Sequence, residues 1–377
     1  MFELIDDLIF QKYFHETFFI VYDRMNTKIL NKSILLYYFI FSLIVAQDLS
    51  NLSFGDDNSF DIATWNIEWF PKNGQVTVGY VSDIINLLEL DVVAIQEIDN
   101  TEIFENMISS LTGYEGYYES YWFAGLGYIY NSETVEVNDF YEIYTTSEYW
   151  NIFPRSPMVM DLNFQGQNYI IVNNHLKCCG DGIIDLGNNS DEEFRRYRAM
   201  NLLKAYVDEN LADRNVFILG DLNDDIAEQS SNNIFQAIIN DVENYYFSDM
   251  AIALGSNLGW SYPSWPSHLD HILITDELFS FPSNPEAVVI RVDDYLEGGW
   301  AFFDSNISDH RPVALKIRYG VDHQFDINMD GEINEFDLEM MLGLIMTNEI
   351  MPQELDFNFD QEVSIFDILF LIEKIQS

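Results

Sequence analysis

The sequence predicts an α/β protein of two β-sheets with helices on their outer sides, followed by a small helical module. Two observations carry this. Between residues 60 and 319, short apolar runs alternate with amphipathic helical stretches. Beyond residue 320 the pattern changes to two acidic segments, each followed by an apolar helix. Hydrophobic residues make up 48% of the 377-residue chain, which excludes a disordered protein and permits a large core.

Residues 61–67, DIATWNI, read as the first strand. Residues 77–90 have helical spacing, with Val78, Val81, Ile84, Ile85 and Leu88 on one face. Residues 91–97, DVVAIQE, read as a buried strand, and a helix is expected at 101–111. From 116 to 174 the pattern turns to strands: YYESYWF, LGYIYN, SPMVMDL and NYIIVNNH. A helix is expected over 190–211, opened by the capping run Ser190-Asp191-Glu192-Glu193. Strands follow at 215–220, 270–275 and 311–318.

The N-terminus reads as a targeting segment. Residues 33–46 are apolar, preceded by Lys28 and Lys32 and ended by Ala46, the pattern of a secretory signal peptide. Residues 1–24 fit poorly ahead of a signal, so Met25 is the expected start, 25–46 the signal, and the mature protein is expected outside the cell. A membrane anchor is the alternative, but a stable span needs about 20 apolar residues and this run is shorter. The adjacent Cys178 and Cys179 offer no disulfide framework, only a vicinal ring or bonds between molecules. The net charge of −46 repels polyanions at long range and suits a salty medium. A nucleic-acid substrate then requires metal ions or a local basic patch.

The chemistry sits at strand ends. Asn66, Glu97, Asn174, His175, Asp221, Asn223, Asp270, Asp309 and His310 all flank apolar runs. Singly, each is an ordinary turn or cap residue. Together they describe one concave site. Asn66, Glu97 and Asp309 are hard oxygen ligands suited to Mg²⁺ or Mn²⁺. His175 and His310 can donate to phosphate, and Asp270 can orient a histidine and keep it cationic. Asp221 can take a proton from water, with Asn223 beside it, and Arg155 can add a forked phosphate contact. That set suits hydrolysis of a phosphate ester.

Six blocks in order, TWNIEWF (64–70), VVAIQEI (92–98), NNHLK (173–177), GDLND (220–224), LDHILIT (269–275) and SDHRPV (308–313), resemble the endonuclease/exonuclease/phosphatase superfamily. The resemblance covers about 60–318. It implies a four-layer sandwich of two mixed sheets flanked by helices, and a Mg²⁺-dependent phosphodiesterase or phosphatase. It implies Asn66 and Glu97 as the metal pair with Asp309 as a further ligand. Asp221 then activates water, Asn223 assists on the phosphate, Asp270 pairs with His310, and His310 and His175 serve as phosphate-binding and acid/base histidines. It also points to Tyr128 or Tyr130 as an aromatic phosphate contact, while Arg311 is expected to face outward. The loop Cys178–Glu193 departs from the secreted-nuclease pattern. It reads as an entrance loop, a solvated loop or a Ca²⁺ loop. The aromatic loop 255–268 either packs on the sandwich or stacks bases.

The C-terminal segments DINMDGEINEFD (326–337) and DFNFDQEVSIFD (356–367) are an internal repeat. Asp326, Asn328, Asp330, Glu332, Asn334 and Asp337 have Ca²⁺-loop spacing, and Gly331 meets the turn. The second loop offers Asp356, Asn358, Asp360, Glu362, Ser364 and Asp367, but Gln361 stands where a glycine is wanted. Asp at position 12, and no helix ahead of either loop, resemble dockerin modules. That resemblance implies two Ca²⁺ ions and a cohesin-like receptor for residues 320–377.

The sequence thus points to a secreted, monomeric, Mg²⁺-dependent phosphodiesterase over 60–319, with nucleic acid as substrate and a Ca²⁺-binding tail. Two alternatives stay open. One is a phospholipid (sphingomyelinase-like) or inositol-phosphate hydrolase, whose signature is an exposed apolar rim near 255–268. The other is a catalytically silent binding protein.

Overall fold

The computed structural model describes residues 48–57, 59–118, 124–279, 284–318, 325–328, 333–347, 355, 357 and 363–376. The signal-peptide and start-site expectations lie outside these residues. Among the described residues no helix is long and apolar enough to cross a membrane.

Among the described residues, twelve strands form two six-stranded sheets. They are β1 (Ser59–Phe70), β2 (Val92–Ile98), β3 (Tyr114–Tyr118), β4 (Gly125–Asn131), β5 (Val135–Glu142) and β6 (Met158–Phe164), then β7 (Gln167–His175), β8 (Asn215–Asp221), β9 (Tyr245–Phe247), β10 (Asp270–Thr275), β11 (Val288–Val289) and β12 (Val313–Arg318). The first sheet runs β11-β12-β1-β2-β4-β3 and the second β5-β6-β7-β8-β10-β9. Both are mixed: β1 is parallel to β2 and β7 to β8, and the other pairs are antiparallel.

Alternation along each strand builds the layers. Phe60 and Ile62 of β1, Val92 and Ala94 of β2, Phe217 and Leu219 of β8, and Ile272 and Ile274 of β10 share one core between the sheets. The opposite residues of β1 and β2, Ala63, Trp65, Val93 and Ile95, pack under the helices Gln75–Leu88, Thr101–Ile108 and Gly299–Asn306. On the other side, Ile170, Val172, Ile218 and Leu273 pack under Glu192–Asn210 and Gln236–Ile239. The result is helix, sheet, sheet, helix, as expected. The strand β5 and the helix Gly299–Asn306 were not expected; both are too polar or too Gly-rich to show a clean period.

Polar groups stitch the sheets together behind the site. Gln96 Nε2 donates to Asn173 Oδ1 (2.7 Å), and Asn173 Nδ2 reaches the carbonyls of Ile95 (3.0 Å) and Gly127 (2.9 Å). Tyr128 Oη accepts from Asn173 N–H (3.1 Å) and faces the carbonyls of Met158 (2.7 Å) and Ile171 (2.8 Å). Tyr128 is fully buried and Tyr130 donates to Glu115, so neither is the aromatic phosphate contact expected from the sequence. Tyr128→Phe leaves buried backbone groups unpaired, and urea unfolding is expected to show a loss of about 1–3 kcal/mol.

The C-terminal module has its own small core. Helices Glu335–Thr347 and Ile365–Gln376 enclose Ile327, Met341, Leu355, Phe357, Ile368 and Leu371.

Candidate active site

The parallel pairs set where the chemistry gathers. Asn66, Glu97, His175 and Asp221 lie at the C-terminal ends of β1, β2, β7 and β8. Strands β10 and β12 run antiparallel to β8 and β1. Their N-terminal ends, with Asp270 and the Asp309-His310 pair, therefore meet the same edge. Gly220 keeps β7 and β8 close: its φ is +138°, and a Cβ there would sit 1.9 Å from Asn174 O. His175 is thereby held directly beside Asp221 in register.

Glu97 reaches the site through an irregularity. By alternation it would share the outer face with Val93 and Ile95. Instead its φ is +65°, and pairing with both β1 and β4 slips between Ile95 and Ile98. A bulge of this kind turns a side chain to the other face. Its carboxylate accepts from Trp69 N–H (3.0 Å) and stands 3.9 Å from His175 Nε2.

Asp221 is the hub. Its Oδ2 accepts from Asn66 Nδ2 (3.0 Å) and lies 3.4 Å from His175 Nε2 and 3.8 Å from His310 Nε2. Asn223 N–H donates to its Oδ1 (3.2 Å). His310 Nδ1 meets Asp270 Oδ2 at 2.7 Å, and its Nε2 is 3.8 Å from Asp309 Oδ1. Ser308 Oγ donates to Asn66 O (2.6 Å) and accepts from His310 N–H (2.9 Å), while Trp65 Nε1 donates to His310 O (2.9 Å). Arg155 donates to Ala124 O (2.7 Å) and places its charge in the field of Glu97 and Asp221.

The electrostatics follow from burial. Burial pushes the Asp221 carboxyl up to about 7, with Asp270 and Glu97 adding and His310 and Asn66 opposing. Burial likewise raises Asp309 to about 6. For His310, burial would lower the pKa, but Asp270 and Asp221 outweigh it and raise it to about 10. Burial holds His175 well below its usual value, helped by Arg155 and His310. At neutral pH one imidazole is therefore cationic and the other neutral.

Eight of the nine strand-end residues converge here. Asn174 does not: its side chain turns to the opposite face and bonds Val172 O and Leu219 O. The sequence reading missed Glu68, whose Oε2 accepts from Asp309 N–H (2.8 Å) and pairs with Lys72. Its position in TWNIEWF, two residues after Asn66, was the available signal. Tyr262, expected only as one of the aromatics of the loop 255–268, also reaches the site: its ring centroid lies 4.7 Å from that of His310. In the loop 255–268, Trp260 donates to Ile252 O (3.0 Å), whereas Trp265 is 77% exposed. The loop therefore both packs and projects. Cys178 and Cys179 are exposed free thiols, with Sγ atoms 3.1 Å apart.

Arg311 corrects another expectation. It is buried, not outward, and forks onto Asp293 (Nε–Oδ1 2.8 Å, Nη2–Oδ2 2.7 Å) while Nη1 bonds Leu258 O and Trp260 O. The acid beside it and two carbonyls of the aromatic loop supply the partners that repay its burial. Arg311→Met leaves Asp293 as an uncompensated buried charge, an expected cost of about 3–5 kcal/mol. Adding Asp293→Leu should recover most of it in the same denaturation assay.

In this setting the comparisons are clear. Residues 63–310 match the model of the endonuclease/exonuclease/phosphatase family. The chain belongs to that family. Its members hydrolyse phosphoester bonds. Residues 324–376 match the dockerin type I domain, a class of module that binds calcium and cohesins. A search of curated proteins finds no match. Among solved structures, a humanized D. rerio TDP2 aligns at TM-score 0.54 and 15% identity, over 70% of this chain and 100% of that one. D. rerio TDP2 complexed with single strand DNA product aligns at 0.53 and 15%, over 69% and 99%. An endonuclease/exonuclease/phosphatase from Bacteroides vulgatus aligns at 0.50 and 16%, over 68% and 98%. At these identities the likeness is one of fold.

In the dockerin-like segment, Asp326, Asp337 and Asp367 are buried. Asp337 accepts from Asn328 N–H (3.0 Å) and Asn334 N–H (2.8 Å), and Asp367 from Ser364 N–H (2.8 Å). The two position-12 aspartates thus occupy matching places. Asp330, Glu332, Asp356, Asn358, Asp360 and Glu362 lie outside the described residues.

Proposed function

We propose that this protein is a secreted, divalent-metal-dependent phosphodiesterase that cleaves nucleic acid. The observation that carries the hydrolytic reading is Asp221, a buried carboxylate of raised pKa, set among Asn66, His175 and a cationic His310. Nucleic acid as substrate rests on the TWNIEWF and NNHLK blocks together.

The donor set fits a hard cation. Five carboxylates, Glu68, Glu97, Asp221, Asp270 and Asp309, share this edge with three cationic side chains, Lys72, Arg155 and His310. Glu97 and Asp309, with the Asn66 amide oxygen, would hold Mg²⁺ or Mn²⁺. A bound cation would supply positive charge to the phosphate and the departing oxygen. Asp221 takes a proton from the attacking water, and Asn223 orients that water or the phosphate. His310, held by Asp270, donates from Nε2 to a phosphate oxygen. Neutral His175 offers a second contact, and Arg155 adds charge.

The test is nicking of supercoiled plasmid in Mg²⁺, with EDTA and His310→Ala as controls. Nicking lost in both supports the reading. A pH profile gives a further check. Asp221 must be ionised to accept a proton, so kcat/KM should rise with pH through an acid limb. A neighbouring cation favours the carboxylate, so the limb, near about 7 in sparse metal, should move to lower pH as Mg²⁺ is raised.

One observation favours a second reading. Leu254, Leu258 and Trp265 are 71%, 72% and 77% exposed on and beside the loop 255–268, the apolar rim expected of a lipid phosphodiesterase. Hydrolysis of sphingomyelin or phosphatidylinositol vesicles without plasmid nicking would select it.

A further inference from the structure

Behind the second sheet lies a group of titratable side chains that the reaction does not touch. Asp249, His268 and His271 are at most 1% exposed. On β10, Asp270 points between the sheets, so His271 points to the opposite side, among Phe235 and Phe247. His271 Nδ1 is 2.5 Å from Asp249 Oδ2, and its Nε2 is 2.8 Å from the carbonyl of Asp224. Asp249 Oδ1 accepts from Ile272 N–H (3.0 Å), and His268 Nε2 lies 2.9 Å from Asp249 Oδ2.

The partners fix the protonation. A backbone carbonyl only accepts, and so does a carboxylate. With Asp249 ionised, His271 satisfies both by carrying a proton on each ring nitrogen, so that the two charges balance. The directions agree: burial opposes both charged forms, yet the pair keeps Asp249 well below and His271 above its usual value. A metal ion fits poorly. Two ligand atoms about 2.0–2.1 Å from one tetrahedral ion stand about 3.3 Å apart, farther than the 2.5 and 2.9 Å seen here.

The carbonyl so held belongs to the catalytic turn, one residue beyond Asn223. The Asp224 carboxylate takes Arg196 Nε (2.8 Å), and Arg196 Nη1 donates to Lys177 O (2.7 Å) and Cys179 O (2.8 Å), just past His175. Leu176 N–H in turn donates to Asp221 O (3.0 Å). One partly buried chain of bonds therefore runs from β10 through the 221–224 turn to the end of β7.

We propose that Asp249 and His271 are positioning residues, which fix Asp221 and Asn223 from the far side of the sheet through a charge-assisted bond to the Asp224 carbonyl. The proposal rests on the role given above to Asp221 and Asn223. Small displacements of reacting groups are costly, about 10²-fold for 1 Å.

The test compares two neutral replacements in one background, Asp249→Asn/His271→Gln and Asp249→Asn/His271→Leu. The Gln amide can still donate toward Asp224 O; Leu cannot. Both variants lack the ion pair, and the Leu variant also leaves the Asp224 carbonyl unpaired, so it should melt slightly lower than the Gln variant yet be fully folded at the assay temperature. Its kcat should nevertheless be at least about 10-fold lower, with KM changed by less than about twofold. Equal kcat values, or activity that merely follows melting temperature, would overturn the proposal. Amide hydrogen exchange supplies a readout that needs no activity. Faster exchange confined to 220–226 and 175–179 in the Leu variant supports the positioning role, even if the wild type cleaves no phosphodiester and the functional reading fails. Unchanged exchange there refutes it. A stoichiometric transition metal in the wild type, released by Asp249→Asn, would also overturn it.

Discussion

Asp221→Asn and His310→Ala should each lower kcat by about 10²–10⁴-fold, the range for removing a positioned acid or base. Both should fold. Asn replaces Asp at nearly equal volume, and it removes one of the carboxylates crowding this edge. His310→Ala leaves Asp270 without its imidazole partner, and Asp270 Oδ1 already lacks a hydrogen bond. Some stability is therefore lost, and circular dichroism is needed to confirm that the loss of rate is not a loss of fold. The double variant decides whether the two act as a unit. Because Asp221 and His310 face each other across 3.8 Å and are proposed to act on one phosphate, the double should be little worse than the poorer single. Fully additive losses in the plasmid assay would mean that they serve separate steps.

The sequence carried most of this site because its residues lie at the ends of strongly apolar strands. The runs before Glu97 and Asp221 show where each strand stops, and the residue at that stop faces the edge. What it could not carry was side-chain facing where the backbone departs from alternation. Asn174 and His175, by contrast, obey alternation: adjacent residues of YIIVNNH face opposite sides, so one meets the outer helices and the other Asp221, and the period of two alone separates them. Arg311 looked like a surface cation because its partner, Asp293, is eighteen residues away in a segment without a regular period. Glu68 was hidden for a similar reason: the left-handed backbone at Glu68 and Trp69 ends the alternation of β1.

Removing calcium should unfold the C-terminal module alone. Asp326, Asp337 and Asp367 are 2%, 0% and 0% exposed, in a segment that carries many acids and a single Lys beyond residue 320. Gathering buried carboxylates in one small module is costly unless their charge is offset, and a divalent ion is the natural compensation. Binding to the folded form alone stabilises it by about 2.7 kcal/mol at a hundredfold excess over Kd. EGTA should therefore abolish the far-UV helical signal of Glu335–Thr347 and Ile365–Gln376. All seven tryptophans precede residue 320, so the near-UV tryptophan signal should stay unchanged and report an intact sandwich. Asp337→Ala should weaken calcium binding in calorimetry, since it removes both the proposed position-12 ligand and the acceptor for Asn328 and Asn334 N–H. A helical signal indifferent to EGTA would refute the calcium assignment.

The order of strands in the first sheet bears on how the protein is made. β1, near the start of the domain, lies between β2 and β12, and Thr64 pairs with Val313. Pairing so remote along the chain is slow to form. Until the ribosome has released residues 313–318, β1 presents an open hydrogen-bonding edge, a template for misassociation. The pairing of His310 with Asp270 and its approach to Asp221 must wait for the same moment. No shorter fragment assembles the candidate site: its two halves meet all at once, with the last strand of the sandwich.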